Sequence, residues 1–210
     1  MKQMLQILEQ WDHEWFFLIN SNHHPVFDFL FGSLTYLGHE IVLPLIVFAI
    51  ILKKIPKQNL KKVLLLTIIS FLVCGGISQG IKSKAKRHRP ARYFYDQVKA
   101  TGAVRDRGME HVDFMRMHGV DIHIVGPRLK HRSFPSGHTT TAFSGAAILW
   151  ILFGGRWVLA FLFALMVGYS RVYVSAHFPL DVIVGALIGT IFTVPIMLYG
   201  KKKLLAKTQI

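Results

Sequence analysis

The chain has 210 residues, of which 52% are hydrophobic and 17% charged, with a net charge of +14. That length sets one domain over 1–210, and that balance fits a membrane protein better than a soluble enzyme. The positive charge raises nucleic acid as a partner, but the lysines bracket apolar runs in the positive-inside pattern, so no nucleic-acid partner is expected.

Residues 1–20 form an amphipathic segment with Trp11 and Trp15, predicted to lie at the membrane interface. Its Glu9, Asp12 and Glu14 argue against a cleaved signal peptide. Residues 26–37 are apolar-rich and carry Asp28, and Gly38, His39 and Glu40 interrupt them. A first span is predicted over 39–53, followed by spans over 62–82, 136–155, 157–173 and 179–200. Residues 63–81 and 182–200 each run 19 positions without Asp, Glu, Lys or Arg, long enough to cross the hydrocarbon as a helix. Pro90 is predicted to close the helix of the second span. Residues 91–134 form a long external loop, either a lid or headgroup surface or a mobile segment. Gly185 and Gly189 give the last span a GxxxG spacing that permits close helix packing. The single cysteine, Cys74, makes no intrachain disulfide.

The expected fold is therefore all-α, a polytopic membrane helical bundle. Lys53, Lys54, Lys57, Lys61 and Lys62, with Lys201, Lys202, Lys203 and Lys207, belong in the cytoplasm. Alternation then carries Lys82, His138, Arg171 and Asp181 to the opposite side together.

Those positions hold the chemistry. His177 and Asp181 are four apart, within reach of one helical face. The carboxylate can accept Nδ1–H and leave Nε2 free to attack. Alone, the pair also reads as an interfacial histidine beside a helix N-terminal aspartate. Ser136 is a helix N-cap, Gly137 lets an anion approach the backbone, and His138 can protonate a leaving oxygen. Lys82, Arg89 and Arg171 can surround the nonbridging oxygens of a phosphate. Lys84, Lys86, Arg87 and His88 read as solvent or headgroup contacts. No metal site and no cofactor are expected, and Ser136 is not in a serine-hydrolase setting.

Lys82…Arg89-Pro90, Pro135-Ser136-Gly137-His138 and Ser170-Arg171…His177…Asp181 match the patterns K-x6-RP, PSGH and SR-x5-H-x3-D. At these residues the chain resembles the type 2 phosphatidic acid phosphatase (PAP2) superfamily. The resemblance implies metal-independent phosphate hydrolysis through a phosphohistidine on His177, oriented by Asp181, with His138 as proton donor. Lys82, Arg89, Ser136, Gly137 and Arg171 would cradle the phosphoryl group. It implies six spans, against the five read here. It also implies an anionic phospholipid, polyprenyl or glycolipid substrate in the bilayer, no obligate protein partner, and a site on the outer face of a bacterial inner membrane. Undecaprenyl diphosphate is the favoured substrate. Lipid A 1-phosphatase, phosphatidylglycerol phosphate or phosphatidate phosphatase, and a transporter or scramblase retaining a phosphate site, are the alternatives.

Overall fold

The computed structural model describes residues 2–105, 109–127 and 131–205. Lys207 and the remaining positions of the 91–134 segment lie outside them. The described chain is all-α. In order, it contains α1 (Lys2–Asn20), α2 (Pro25–Leu37), α3 (Val42–Lys54), α4 (Lys57–Ala85), α5 (Pro90–Ala100), α6 (His111–Met117) and α7 (Gly137–Phe153). A 3-10 turn (Gly155–Val158) then leads to α8 (Leu159–Tyr173) and α9 (Pro179–Leu205).

α7 is the central helix and packs against α9, α8, α4 and α3. Its sequence explains the position. Thr139, Thr140, Ala142, Ser144, Gly145, Ala146 and Ala147 are all buried, so neighbours can approach its backbone from several sides. The closest approach is to α9. A Cβ on Gly185 would lie 2.6 Å from the Ser136 carbonyl oxygen, and one on Gly189 would lie 2.3 Å from that of Thr140. The GxxxG spacing is thus used to lay α9 directly on α7.

Among the described residues, three helices are long and apolar enough to cross a membrane: one beginning at Lys57, Gly155–Tyr173 and Pro179–Lys203. α2 and α3, bent by 63° at the break between them, add a fourth if they cross as one broken span. The spans expected over 62–82, 157–173 and 179–200 fall on these helices, and those over 39–53 and 136–155 fall on α3 and α7, which at 13 and 17 residues are shorter. The α2–α3 turn is pressed onto α8, where a Cβ on Gly38 would lie 2.4 Å from Val167 Cγ1.

One expectation needs revision. Pro90 does not close a helix. α4 ends at Ala85, Lys86 takes a left-handed conformation at φ 47°, and Pro90 opens α5. Proline suits a first helical position, where its missing N–H is not needed. The described part of the 91–134 segment, open from sequence between a lid or headgroup surface and a mobile loop, is a packed cap. Phe94, Val98, Phe114, Met115 and Ile122 bury themselves with Phe16 of α1, Val172 of α8 and Phe178. Helix α1 is amphipathic as expected, with Trp11 and Trp15 outward. Its inward face carries Asp12, Phe16 and Asn20, all buried, so two polar groups point into the protein beside an aromatic ring.

The α7–α9 seam leaves no room for a side chain. Gly189→Leu is expected to destabilise the protein by at least ~1–3 kcal/mol through overpacking, lowering its thermal midpoint in detergent. Gly75→Ala, where an added Cβ meets nothing within 4 Å, is the control and should leave the midpoint in place.

Candidate active site

All three sequence segments meet at one end of the bundle. The last turn of α4 brings Lys82, and the 86–89 linker brings Arg87 and Arg89. The start of α7 brings Ser136, Gly137 and His138, and the end of α8 brings Arg171. The loop 174–178 brings His177, and the first turn of α9 brings Asp181. Lys82, Ser136, Arg171, His177 and Asp181 are buried.

The loop bearing His177 folds back on α8, since the Ala176 and His177 amides both donate to the Arg171 carbonyl at 3.0 Å. His177 Nδ1 stands 3.4 Å from Asp181 Oδ2, a close contact without a well-aligned hydrogen bond. The reason is that Asp181 is already occupied. Its Oδ1 accepts from Arg87 Nη1 at 2.7 Å, and its Oδ2 accepts from the Phe178 amide at 2.9 Å and from the Ser133 hydroxyl. Burial, with Arg89 and Arg171 adding to it against the pull of Asp181, pushes the His177 imidazole down to about 3. Above that range the ring is neutral, and Nε2 keeps its lone pair.

Arg89 stands beside that nitrogen. Its Nη1 lies 3.3 Å from His177 Nε2 and donates to the Ala176 carbonyl at 2.8 Å, while Nε donates to the His131 carbonyl at 3.0 Å. A phosphorus attacked by Nε2 would therefore meet a guanidinium at once. Arg171 is buried, and among the described residues its Nε has no hydrogen-bond partner, which fits a group reserved for an anion. Ser136 caps α7. Its Oγ accepts from the Thr139 hydroxyl at 2.9 Å and, more weakly, from the Thr139 amide at 3.4 Å. The Ser136 amide donates to the Asp181 carbonyl at 2.9 Å, tying the start of α7 to α9.

Next to these groups is a cavity of about 310 Å³. Thr35, Tyr36, His39, Val125, His138 and Arg171 are among the residues that line it. Its exposed lining is mostly apolar.

Sequence reasoning missed a supporting set. Arg87, read as a solvent or headgroup contact, is instead a half-buried bridge. It pairs with Asp181 on one side and Asp12 on the other, and its guanidinium lies 4.3 Å from the Phe178 ring centroid. Burial opposes the Arg87 charge, but the two carboxylates outweigh it and hold its pKa above the ordinary value. Asp12 also accepts from the Leu180 amide at 2.7 Å, so it caps the start of α9. Ser133 completes the set. The Asp12, Phe16, Asn20 spacing was the available signal for an inward face. Nothing in the basic run 82–92 distinguishes Arg87 from its neighbours.

Comparison with known proteins agrees with this geometry. The PAP2 superfamily pattern matches residues 60–204. The crystal structure of Aquifex aeolicus LpxE aligns with a TM-score of 0.62 and 32% identity, covering 88% of this chain and 93% of that one. The undecaprenyl-diphosphatase of Sulfolobus acidocaldarius is 29% identical over 180 residues, 84% of this chain and 72% of its own length. The lipid A 4'-phosphatase of Bacteroides thetaiotaomicron is 24% identical over 196 residues, 89% of this chain and 75% of its own.

Arg87 makes no direct contact with His177 in the hydrogen-bond network above, so its effect must pass through Asp181. Replacing it leaves two buried carboxylates unpaired and frees Asp181 to move. Arg87→Gln is expected to lower kcat toward a lipid phosphate on the order of 100-fold, the cost of a small misplacement at a reacting centre. Asp12→Asn, which retains a cap for Leu180, should cost less. Steady-state kinetics of the two purified variants, with thermal midpoints measured alongside, check this ordering.

Proposed function

Since the chain belongs to the PAP2 superfamily and is a membrane phosphatase, we propose that it hydrolyses a lipid diphosphate without a metal, through a phosphohistidine, with undecaprenyl diphosphate as substrate. His177 Nε2 attacks the terminal phosphorus as the bond to the bridging oxygen breaks. His138 gives that oxygen its proton. Water then loses a proton to His138 and attacks the phosphorus, the P–N bond breaks, and inorganic phosphate leaves. Lys82, Arg89 and Arg171 neutralise the equatorial oxygens, in surroundings where fixed charges act strongly. Gly137 keeps the α7 N-terminus open to the anion, and the Ser136 cap holds it in place.

The cavity carries the choice of substrate. At about 310 Å³, mostly apolar and lined in part by His138 and Arg171, it suits a diphosphate and the first units of a single hydrocarbon chain. A phosphorylated disaccharide with several acyl chains needs a wider mouth. The size of the 91–134 segment does not argue for a large headgroup either, because its described part is packed against α1 and Phe178. A lipid A phosphatase is the second reading, favoured by the likeness to the Bacteroides enzyme across most of both chains.

The experiment is a side-by-side panel in detergent with excess EDTA. Phosphate release is measured from undecaprenyl diphosphate, lipid A and phosphatidate, for the wild type and His177→Asn. The wild type is expected to prefer the polyprenyl diphosphate by kcat/KM, and the variant to be inactive on all three. Acid-labile, base-stable labelling from a phosphate-labelled substrate should vanish in the variant. A preference for lipid A moves the function to the second reading. Loss of activity with EDTA and its rescue by Mg²⁺ or Zn²⁺ overturn the metal-free mechanism.

The site is proposed to face the outside of a bacterial inner membrane, on the strength of the lysines at 53–62 and 201–203. With Cys74 replaced, a cysteine at Val104, which is 87% exposed, should react with an impermeant thiol reagent in intact cells whose outer membrane is permeabilised. A cysteine at Lys57 should react only after the inner membrane is broken. The reverse pattern inverts the orientation.

A further inference from the structure

A carboxylate stands at the proton-transfer end of this site. Glu40 lies in the turn between α2 and α3, which Gly38 presses against Val167. From there its side chain reaches the first turn of α7. Oε1 is 3.9 Å from His138 Nδ1 and 3.8 Å from Lys82 Nζ. It rests on the face of Gly137, where a Cβ would come within 1.9 Å of Oε1 and 3.1 Å of Lys82 Nζ. Any residue but glycine at 137 would push the carboxylate away. The Glu40 side chain is 39% exposed, so it is not a sealed structural ion pair.

The groups facing His138 make this contact matter. Lys82 approaches from α4, Arg171 from α8, His177 from the loop before α9, and His39 from the α2–α3 turn. The His39 ring meets the His138 ring edge-on at 5.4 Å. Two of these groups are cations, and the other two can become so. A ring that must carry a proton among them gains from a carboxylate at its far nitrogen.

We propose that Glu40 is the positioning carboxylate of His138, as Asp181 is of His177. The proposal rests on the reading of His138 as proton donor. A small rotation of the exposed Glu40 side chain closes the 3.9 Å gap, so that Oε1 accepts a hydrogen bond from Nδ1–H of the imidazolium, and Nε2–H is left to face the leaving oxygen. As the P–O bond breaks and the bond from phosphorus to His177 Nε2 forms, the Nε2 proton passes to that oxygen. Neutral His138 keeps Nδ1–H on Glu40, takes a proton from the attacking water at Nε2, and returns to its starting state when the P–N bond breaks. Each histidine thus has its own carboxylate, supplied by a different end of the chain.

The test compares Glu40→Gln, Glu40→Asp and His138→Asn on two probes, dodecyl phosphate in detergent micelles and 4-nitrophenyl phosphate. Dodecyl phosphate has an alkoxide leaving group that needs a proton, and nitrophenolate does not. Glu40→Gln is expected to lower kcat on dodecyl phosphate about 10-fold or more with little change in KM. The limb of the pH profile that requires the protonated acid should move to lower pH. The burst of nitrophenolate in the first turnover should be nearly unchanged, and Glu40→Asp should recover part of the loss. His138→Asn should show the same dependence on leaving group. Wild-type kcat and pH profile in Glu40→Gln, with His138→Asn impaired, overturn the role of Glu40 alone. Full activity in His138→Asn overturns the proton-donor reading instead. Tighter inhibition by inorganic phosphate in Glu40→Gln at unchanged kcat also overturns the proposal, because Glu40 would then be an internal anion competing with substrate.

Discussion

The carboxylate of Asp181 holds the site together. It is buried in a region that strongly disfavours an unpaired charge, so it needs partners from elsewhere in the chain. Arg87 comes from the linker after α4, Ser133 from the segment before α7, and the Phe178 amide from the loop carrying His177. The Asp181 backbone carbonyl takes the Ser136 amide as well. The three segments that carry the chemistry are therefore tied to one residue. Removing its charge would loosen the Arg87, Ser133 and Phe178 ties and leave only the backbone bond from Ser136, and that is a larger effect than loss of one histidine contact.

This arrangement separates two kinds of positive charge. Arg87 is spent on carboxylates, with Asp181 on one side and Asp12 on the other. Arg89 donates to backbone carbonyls and lies beside Nε2, and Arg171 leaves Nε without a partner among the described residues. Lys82 is near Glu40, at a distance too long for a hydrogen bond. The cations left incompletely satisfied are those grouped around His177 and His138. On the proposed reading, an arriving phosphate would supply the missing acceptors, and binding energy would be concentrated where charge moves during reaction.

The residues legible in the sequence were those whose chemistry is out of place in an apolar setting. Arg171 at the end of α8 and the His177–Asp181 spacing announce themselves because charge beside a membrane span needs a reason. The glycines of α9 were visible as a spacing, though not the helix they lie on. Arg87 was invisible because it sits in a run of basic residues, and the left-handed turn at Lys86 helps decide which of them points inward. Asp12 and Glu40 were hidden for another reason. Each is distant in sequence from its partners, and only the docking of α1 and the bend after α2 bring them near. The four-residue break at 86–89 and the cap after it depend on tertiary packing, which local propensity does not encode.

The inward polar face of α1 also bears on how the chain is made. Asp12 is synthesised early, but its partner Arg87 lies 75 residues later and the Leu180 amide 168 residues later. Until α9 has been produced, Asp12 has no helix to cap and keeps its water. An interfacial helix can wait in that state, whereas a helix already inserted in hydrocarbon would strand the charge. The contact between Asp12 and the start of α9 thus needs both helices in place, and it joins segments 168 residues apart.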